Sequence, residues 1–288
     1  MPSCPAGPVT PEEEADDSKP LLLVVEDNPD ICNYIRGAFE ETYTVLTASN
    51  GQEGWETAKS RIPNIIVSDI MMPVMDGVTF CRKVKEDMRT SHIPVILLTA
   101  KGSIRAKEEG YEAGADSFIT KPFSARLLQL RIENLLESRR KLASLITAVA
   151  TESAAAPADT VTASERAETL ETNTLTKLDQ VFLEKVKTVI ADHLSMEKMD
   201  VAFIADKMCM SHSTLYRKIK GLTNMSVNEF VRKMKMQKGL ELIQQGERSI
   251  AEISDLTGFS SVAYFRQCFK EEFGSSPSEY QKKLQRNP

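Results

Sequence analysis

"NIIVSDIMMPVMDG", Asn64 to Gly77, joins an apolar run to a turn, with a single carboxylate, Asp69, between them. An acid at the end of a run that favours burial is usually a helix or turn cap when it stands alone, and a site residue when other strand ends bring matching groups beside it. In the second case the run is a sheet-interior strand, and its carboxyl end opens onto a crevice. The stretch "LLLVVEDN", Leu21 to Asn28, has the same form and ends in the adjacent acids Glu26 and Asp27. Working outward, residues 21–141 hold five short apolar runs, "LLLVV", "YTVLTA", "NIIVSD", "PVILLTA" and "DSFIT". Amphipathic segments separate them. Ile31, Ile35, Ala38 and Phe39 form one helical stripe, Val78, Cys81 and Val84 another, and Leu128, Ile132 and Leu135 a third. Five strands alternating with helices predict an α/β fold, a doubly wound parallel five-stranded sheet.

In such a sheet, ligands bind beyond the carboxyl ends of the strands, where strand order reverses. If the first and third runs are neighbours, Glu26, Asp27 and Asp69 meet in one crevice. Three carboxylates repel one another unless a hard cation lies among them, and Mg²⁺ suits oxygen ligands with open positions left for phosphate oxygens. A carboxylate beside such a cation can attack phosphorus and form an aspartyl phosphate. The fourth run brings the Thr99 hydroxyl to the same edge and the fifth brings the Lys121 ammonium. A hydroxyl, an ammonium and a cation are what the equatorial oxygens of a phosphoryl group require.

The rest of the chain is organised differently. Residues 1–20 are acidic and Pro-rich, lack the apolar core of a signal peptide, and read as a disordered lead-in. Residues 142–178 turn to Ala, Thr, Ser and Glu and read as a flexible linker, long enough to couple two domains without fixed contacts between them. Residues 179–288 read as a separate all-α domain. They hold 17 Lys and Arg against 14 Asp and Glu, in a 288-residue chain of net charge −5. A polyanionic partner would therefore bind there.

This basic segment repeats itself. Val201, Ile204 and Asp206 match Ile250, Ile253 and Asp255, and Leu215, Ile219 and Lys220 match Phe265, Phe269 and Lys270. In each copy a short helix ends in a turn ("DKMCMS", "DLTGFS") and a second helix follows, about His212–Lys220 and Ser261–Phe273. A long helix, Val227 to Gln245, joins the copies. Ser226, Ser249 and Ser276 each precede a glutamate by three residues, the capping-box spacing. Two helix-turn-helix units predict double-stranded DNA as partner, with each second helix entering a major groove. The outer faces read as His212, Ser213, Arg217 and Lys218 in one copy, and Ser261, Val262, Tyr264, Arg266 and Gln267 in the other. Arg217 and Arg266 suit either guanine or phosphate, and Lys220 and Lys270 suit the backbone.

Residues 21–141 resemble a receiver domain of two-component signalling through "VVEDNPD", "VSDIMMPVMDG", "LLTA" and "GADSFITKPF". The resemblance implies a flavodoxin-like fold with Asp69 as phosphoacceptor from a histidine kinase. It also implies Mg²⁺ at Glu26, Asp27 and Asp69 with the Met71 backbone carbonyl, Thr99 and Lys121 as phosphate sensors, and Phe118 as a switch aromatic. The Lys121–Pro122 bond is expected to be cis. Residues 179–288 resemble the AraC-type DNA-binding domain, most closely through "GFSSVAYFRQCFKEEFGSSPSEY". The first copy departs by carrying Asn224 and Val227 where the second has Gly274 and Pro277, but Asn tolerates the left-handed turn. The combination also resembles the output end of hybrid sensors that control polysaccharide use. The chain reads as either a stand-alone regulator or the detached output end of such a hybrid, in both cases a non-enzymatic, cytoplasmic response regulator. A phosphorylation-promoted homodimer is the expected switch. An aspartyl-phosphate phosphatase would need a second aspartate where Met71 stands.

Other single features carry less. No apolar run is long enough to span a bilayer. The five cysteines lack metal-ligand spacing and read as reduced thiols. Trp55 and the methionines of "VRKMKMQKG" read as packing residues.

Overall fold

The computed structural model describes residues 19–100, 104–152, 175–196 and 199–286. The lead-in at 1–18 and the linker from 153 to 174 lie outside the described residues.

The first half alternates strand and helix: β1 (Leu21–Val25), α1 (Pro29–Phe39), β2 (Thr44–Ala48), α2 (Gly51–Arg61), β3 (Ile65–Asp69), α3 (Gly77–Glu86), β4 (Val95–Ala100), α4 (Ile104–Glu112), β5 (Ser117–Lys121) and α5 (Ala125–Glu152). The five strands are parallel, in the order β2-β1-β3-β4-β5. Strand order reverses between β1 and β3, which are hydrogen-bonded neighbours. β1 and β3 are buried along their whole lengths, as is all of β4 but its last residue, because helices cover both faces of the sheet. One layer packs Leu23, Ile66 and Leu97 against Phe80, Cys81 and Val84 of α3. The other packs Leu22, Val67 and Leu98 against Ile35, Phe39, Leu128 and Ile132. Trp55 rests against the first layer, as its packing role requires. Burial pushes the Cys81 thiol up to about 12, so it is inert.

α5 does not stop at 141, the boundary read from the sequence. It continues to Glu152 and takes up the first part of the segment assigned to the linker. The Ala- and Leu-containing stretch after Lys141 keeps helical propensity, and Leu142 and Ala143 are buried.

The second half is all-helical: α6 (Lys177–Asp192), α7 (Val201–Lys207), α8 (His212–Thr223), α9 (Val227–Gln245), α10 (Ile250–Leu256), α11 (Val262–Phe273) and α12 (Pro277–Arg286). The repeat is visible in three dimensions. α7 and α10 are both 7 residues long, and α8 and α11 are both 12. Both turns hold a left-handed residue at the matched site, Cys209 and Gly258, and Asn224 caps α8 in the left-handed region as Gly274 caps α11. All three capping boxes, Ser226 with Glu229, Ser249 with Glu252 and Ser276 with Glu279, are formed. Each unit has its own core, one centred on Leu215, Ile219 and Phe182, the other on Phe265, Phe269 and Met236.

The halves touch, contrary to the expectation of a linker without fixed contacts. α8 packs on α5, and the Ser91 hydroxyl of the first half donates to Asp179 of α6 at 2.7 Å.

Candidate functional site

Register sets the first site. Asp69 is the last residue of β3, and Glu26 directly follows β1, its N–H bonded to the Ala48 carbonyl at 3.0 Å. Carboxylate oxygens of Glu26, Asp27 and Asp69 all lie within 4.8 Å of one another, as the sequence required of neighbouring strands. Lys121 ends β5 and reaches across β4. Its Nζ lies 2.7 Å from Glu26 Oε2 and 2.9 Å from Asp69 Oδ2. The Ile70 N–H holds the second Asp69 oxygen, Oδ1, at 2.8 Å. Thr99 lies one residue beyond the partner of Asp69 on β4 and is buried. Met71 is in the turn two residues past Asp69 with an exposed side chain.

Electrostatics follow from this packing. Burial pushes the Glu26 carboxyl above its ordinary value, and the Asp69 charge adds to the rise, while the Lys121 hydrogen bond opposes it. Burial works against the Lys121 ammonium, yet its hydrogen bonds to Glu26 and Asp69 outweigh that and hold its pKa above the ordinary lysine value. A donor set of three carboxylates balanced by a single ammonium fits a hard divalent cation.

Phe118 sits on β5, half-buried, with its ring 4.5 Å from that of Tyr111 on α4. Gly110 makes this possible. A Cβ there would fall 2.7 Å from the Phe118 ring. The Lys121–Pro122 bond is cis, as expected.

The helix-turn-helix residues divide sharply. On α11 and its cap, Ser261, Tyr264, Arg266, Gln267 and Lys270 are all exposed, with Val262 half-buried between them. On α8, His212 and Lys220 are exposed and Ser213 and Arg217 are half-buried. Lys218 corrects the sequence reading. It does not face outward but is fully buried, its Nζ 2.7 Å from Asp179 Oδ1, 3.0 Å from Ser91 Oγ and 4.9 Å from the centre of the Phe182 ring. Leu215, Lys218, Ile219 and Leu222 form one helical stripe, so spacing placed Lys218 in the core although its polarity suggested solvent. Sequence reasoning also missed Tyr216, whose ring lies 5.3 Å under the Lys220 ammonium, and the partners Ser91, His92 and Asp179.

Two family models match the chain: a response regulator receiver domain at residues 22–133 and a helix-turn-helix domain at residues 204–283. The histidine kinase P4 of Formosa agariphila is 35% identical over 279 residues, covering 95% of this chain and 19% of that protein. The response regulator Rre1 of Synechocystis is 37% identical over 117 residues, 40% of this chain and 51% of its own. This chain thus spans about a fifth of the first relative and half of the second. Among solved structures, the receiver domain of a signal transduction histidine kinase from Syntrophus aciditrophicus aligns with 37% identity, 41% of this chain, 90% of that chain and a TM-score of 0.39.

Proposed function

This chain is a response regulator in which a receiver domain precedes an AraC-type DNA-binding domain, and we propose that it is a transcription factor controlled by phosphorylation of Asp69. The observation that carries the reading is the meeting of three carboxylates with the Lys121 ammonium over Asp69. Glu26, Asp27 and Asp69, joined by the Met71 carbonyl, would hold Mg²⁺, which when bound offsets their charge and polarises the phosphoryl group. A carboxylate oxygen of Asp69 attacks phosphorus. The bond from phosphorus to the donor imidazole of a histidine kinase breaks, and its electron pair leaves with that nitrogen. Lys121, already in contact with Asp69, pairs with one equatorial oxygen, and the Thr99 hydroxyl donates to another.

Inward movement of Thr99 leaves room for Phe118 to follow. This reshapes the face of α4, β5 and α5, on which two phosphorylated copies pair. Pairing raises the effective concentration of two DNA-binding domains on adjacent sites. In those domains His212, Ser213, Arg217 and Lys220 of the first unit, and Ser261, Tyr264, Arg266, Gln267 and Lys270 of the second, are the proposed DNA contacts. Near-complete alignment with a small part of a histidine kinase supports a further proposal: the chain corresponds to the output part of a hybrid system. By the resemblance to hybrid sensors, its target genes would serve polysaccharide use.

Treatment with a small phosphodonor such as acetyl phosphate tests the central step. Label is expected on wild type only with Mg²⁺ present, and none on Asp69→Asn. Label that persists in Asp69→Asn, or DNA affinity and oligomeric state that ignore phosphorylation, would defeat the proposed switch.

A further inference from the structure

The recognition helices of the two units do not stand alike. The α11 face carrying Tyr264, Arg266 and Gln267 is open, whereas the α8 face carrying Tyr216, Arg217 and Lys220 meets the receiver. We infer that the base of the receiver is a docking surface for α8, and that duplex DNA competes with it for that face. This inference rests on the DNA-binding reading above.

The surface lies at the amino ends of the strands, opposite the acidic crevice. It is built from the end of α2, the segment before β4 and the far half of α5. The Arg217 guanidinium donates to the Arg61 carbonyl. His92, buried just before β4, packs beneath Gly221 of α8. A Cβ at Gly221 would fall 2.9 Å from the His92 ring, so only glycine allows this approach. Ser91 completes the contact. Its hydroxyl donates to Asp179 and accepts from Lys218, which ties the receiver to the buried pair beneath α8. A cavity of about 250 Å³ lies between the halves, lined in part by Arg140, Ala143, Tyr216, Arg217 and Lys220.

A recognition helix must present its outer face to the major groove. While α8 is docked, Arg217 is engaged by a receiver carbonyl and one reading helix of two is available. The docked form therefore cannot engage DNA with both helices, and the apparent affinity for a duplex that needs both scales with the fraction undocked.

Two substitutions test this from opposite sides of the contact in the full-length chain. Ala143→Arg adds a guanidinium to a junction already rich in them. Gly221→Ala pushes a methyl group into His92 while raising helix propensity, so α8 itself is not weakened. The DNA is a duplex recovered from a randomised pool by the full-length chain. Without phosphodonor, both variants should bind it about tenfold more tightly than wild type, as expected if roughly a tenth of the wild type is undocked. In wild type, amide exchange at Ser91 to Ile93 should accelerate when the duplex is added. Unchanged affinity in both variants, with unchanged exchange in wild type, overturns the inference and leaves the DNA-binding reading intact. Failure of wild type and both variants to recover any duplex would overturn both.

Discussion

Asp116 shows how much of the receiver hangs on single side chains away from the acidic crevice. Its carboxylate takes Lys85 of α3 at 2.6 Å, Arg139 of α5 at 2.8 Å and the Val95 N–H of β4 at 2.8 Å. Burial alone would raise its pKa. The Lys85 and Arg139 charges and the hydrogen bonds overcome that and leave the carboxyl below its ordinary value. A depressed carboxylate contributes stability above its unfolded pKa, about 3.9, and loses it as pH falls through the folded value. Asp116→Asn should cost about 3 kcal/mol at neutral pH, since it strands two cations that are partly buried. Urea unfolding at pH 7 and in acid checks this, and the gap between variant and wild type should close in acid. At this scale the sequence was legible wherever a residue's role followed from its strand. Glu26, Asp69 and Lys121 met because parallel strands bring their carboxyl ends to one edge. Lys218 was not legible from its polarity, although its spacing from Leu215 and Leu222 put it on the buried stripe. Asp116 has partners on three different elements, and no local pattern announces them.

Among the elements, α4 is defined by what it leaves out. Gly110 is a poor helix residue, yet it faces the Phe118 ring and Leu97. Gly110→Ala should gain about 1 kcal/mol in helix propensity and lose about 1–3 kcal/mol to overpacking against the ring. Net destabilisation of the receiver is the expected outcome in a thermal melt, with a shifted aromatic environment for Phe118 and Tyr111 in the near-ultraviolet. A net gain would mean that the ring moves aside at no cost. Helix limits in the second half were read closely because caps mark them. Ser226 and Ser249 close capping boxes at the expected positions, and the long helix α9 runs from Val227 to Gln245 as its sequence predicts. The end of α5 was misplaced because composition, rather than a cap, marked its boundary.

For the whole molecule, the relation between the halves was the part hidden from the sequence. Ser91 and Asp179 are 88 residues apart, and Ser91 and Lys218 are 127 apart. Polar contacts at such separations leave no periodic trace. The junction has its own pH dependence. Burial drives His92 well below the ordinary histidine value, Lys218, Arg139 and Lys85 push the same way, and only Asp179 opposes them. A histidine with a depressed pKa contributes fully above its unfolded value, about 6.5. That contribution shrinks as pH falls below it, because the undocked or unfolded form takes up a proton first. The urea midpoint of the full chain should therefore drop as pH falls below about 6.5, a window that opens above that of Asp116. His92→Gln should flatten the drop, and an unchanged slope in that variant would assign it to other groups.

α5 starts beside the Lys121–Pro122 turn and runs back past the amino ends of the strands, and α8 rests on it at Leu136 to Ala143. Its 28 residues span roughly 42 Å at the usual helical rise, against about 17 Å for a five-residue strand. Such a rod multiplies small rotations. A tilt of about 5° at the phosphate end moves the stretch under α8, roughly 17–27 Å along the rod, by about 2 Å, enough to loosen a side-chain contact. Leverage of that size lets a sub-ångström event at one edge of a rigid sheet be felt at the other while the strands between them stay still.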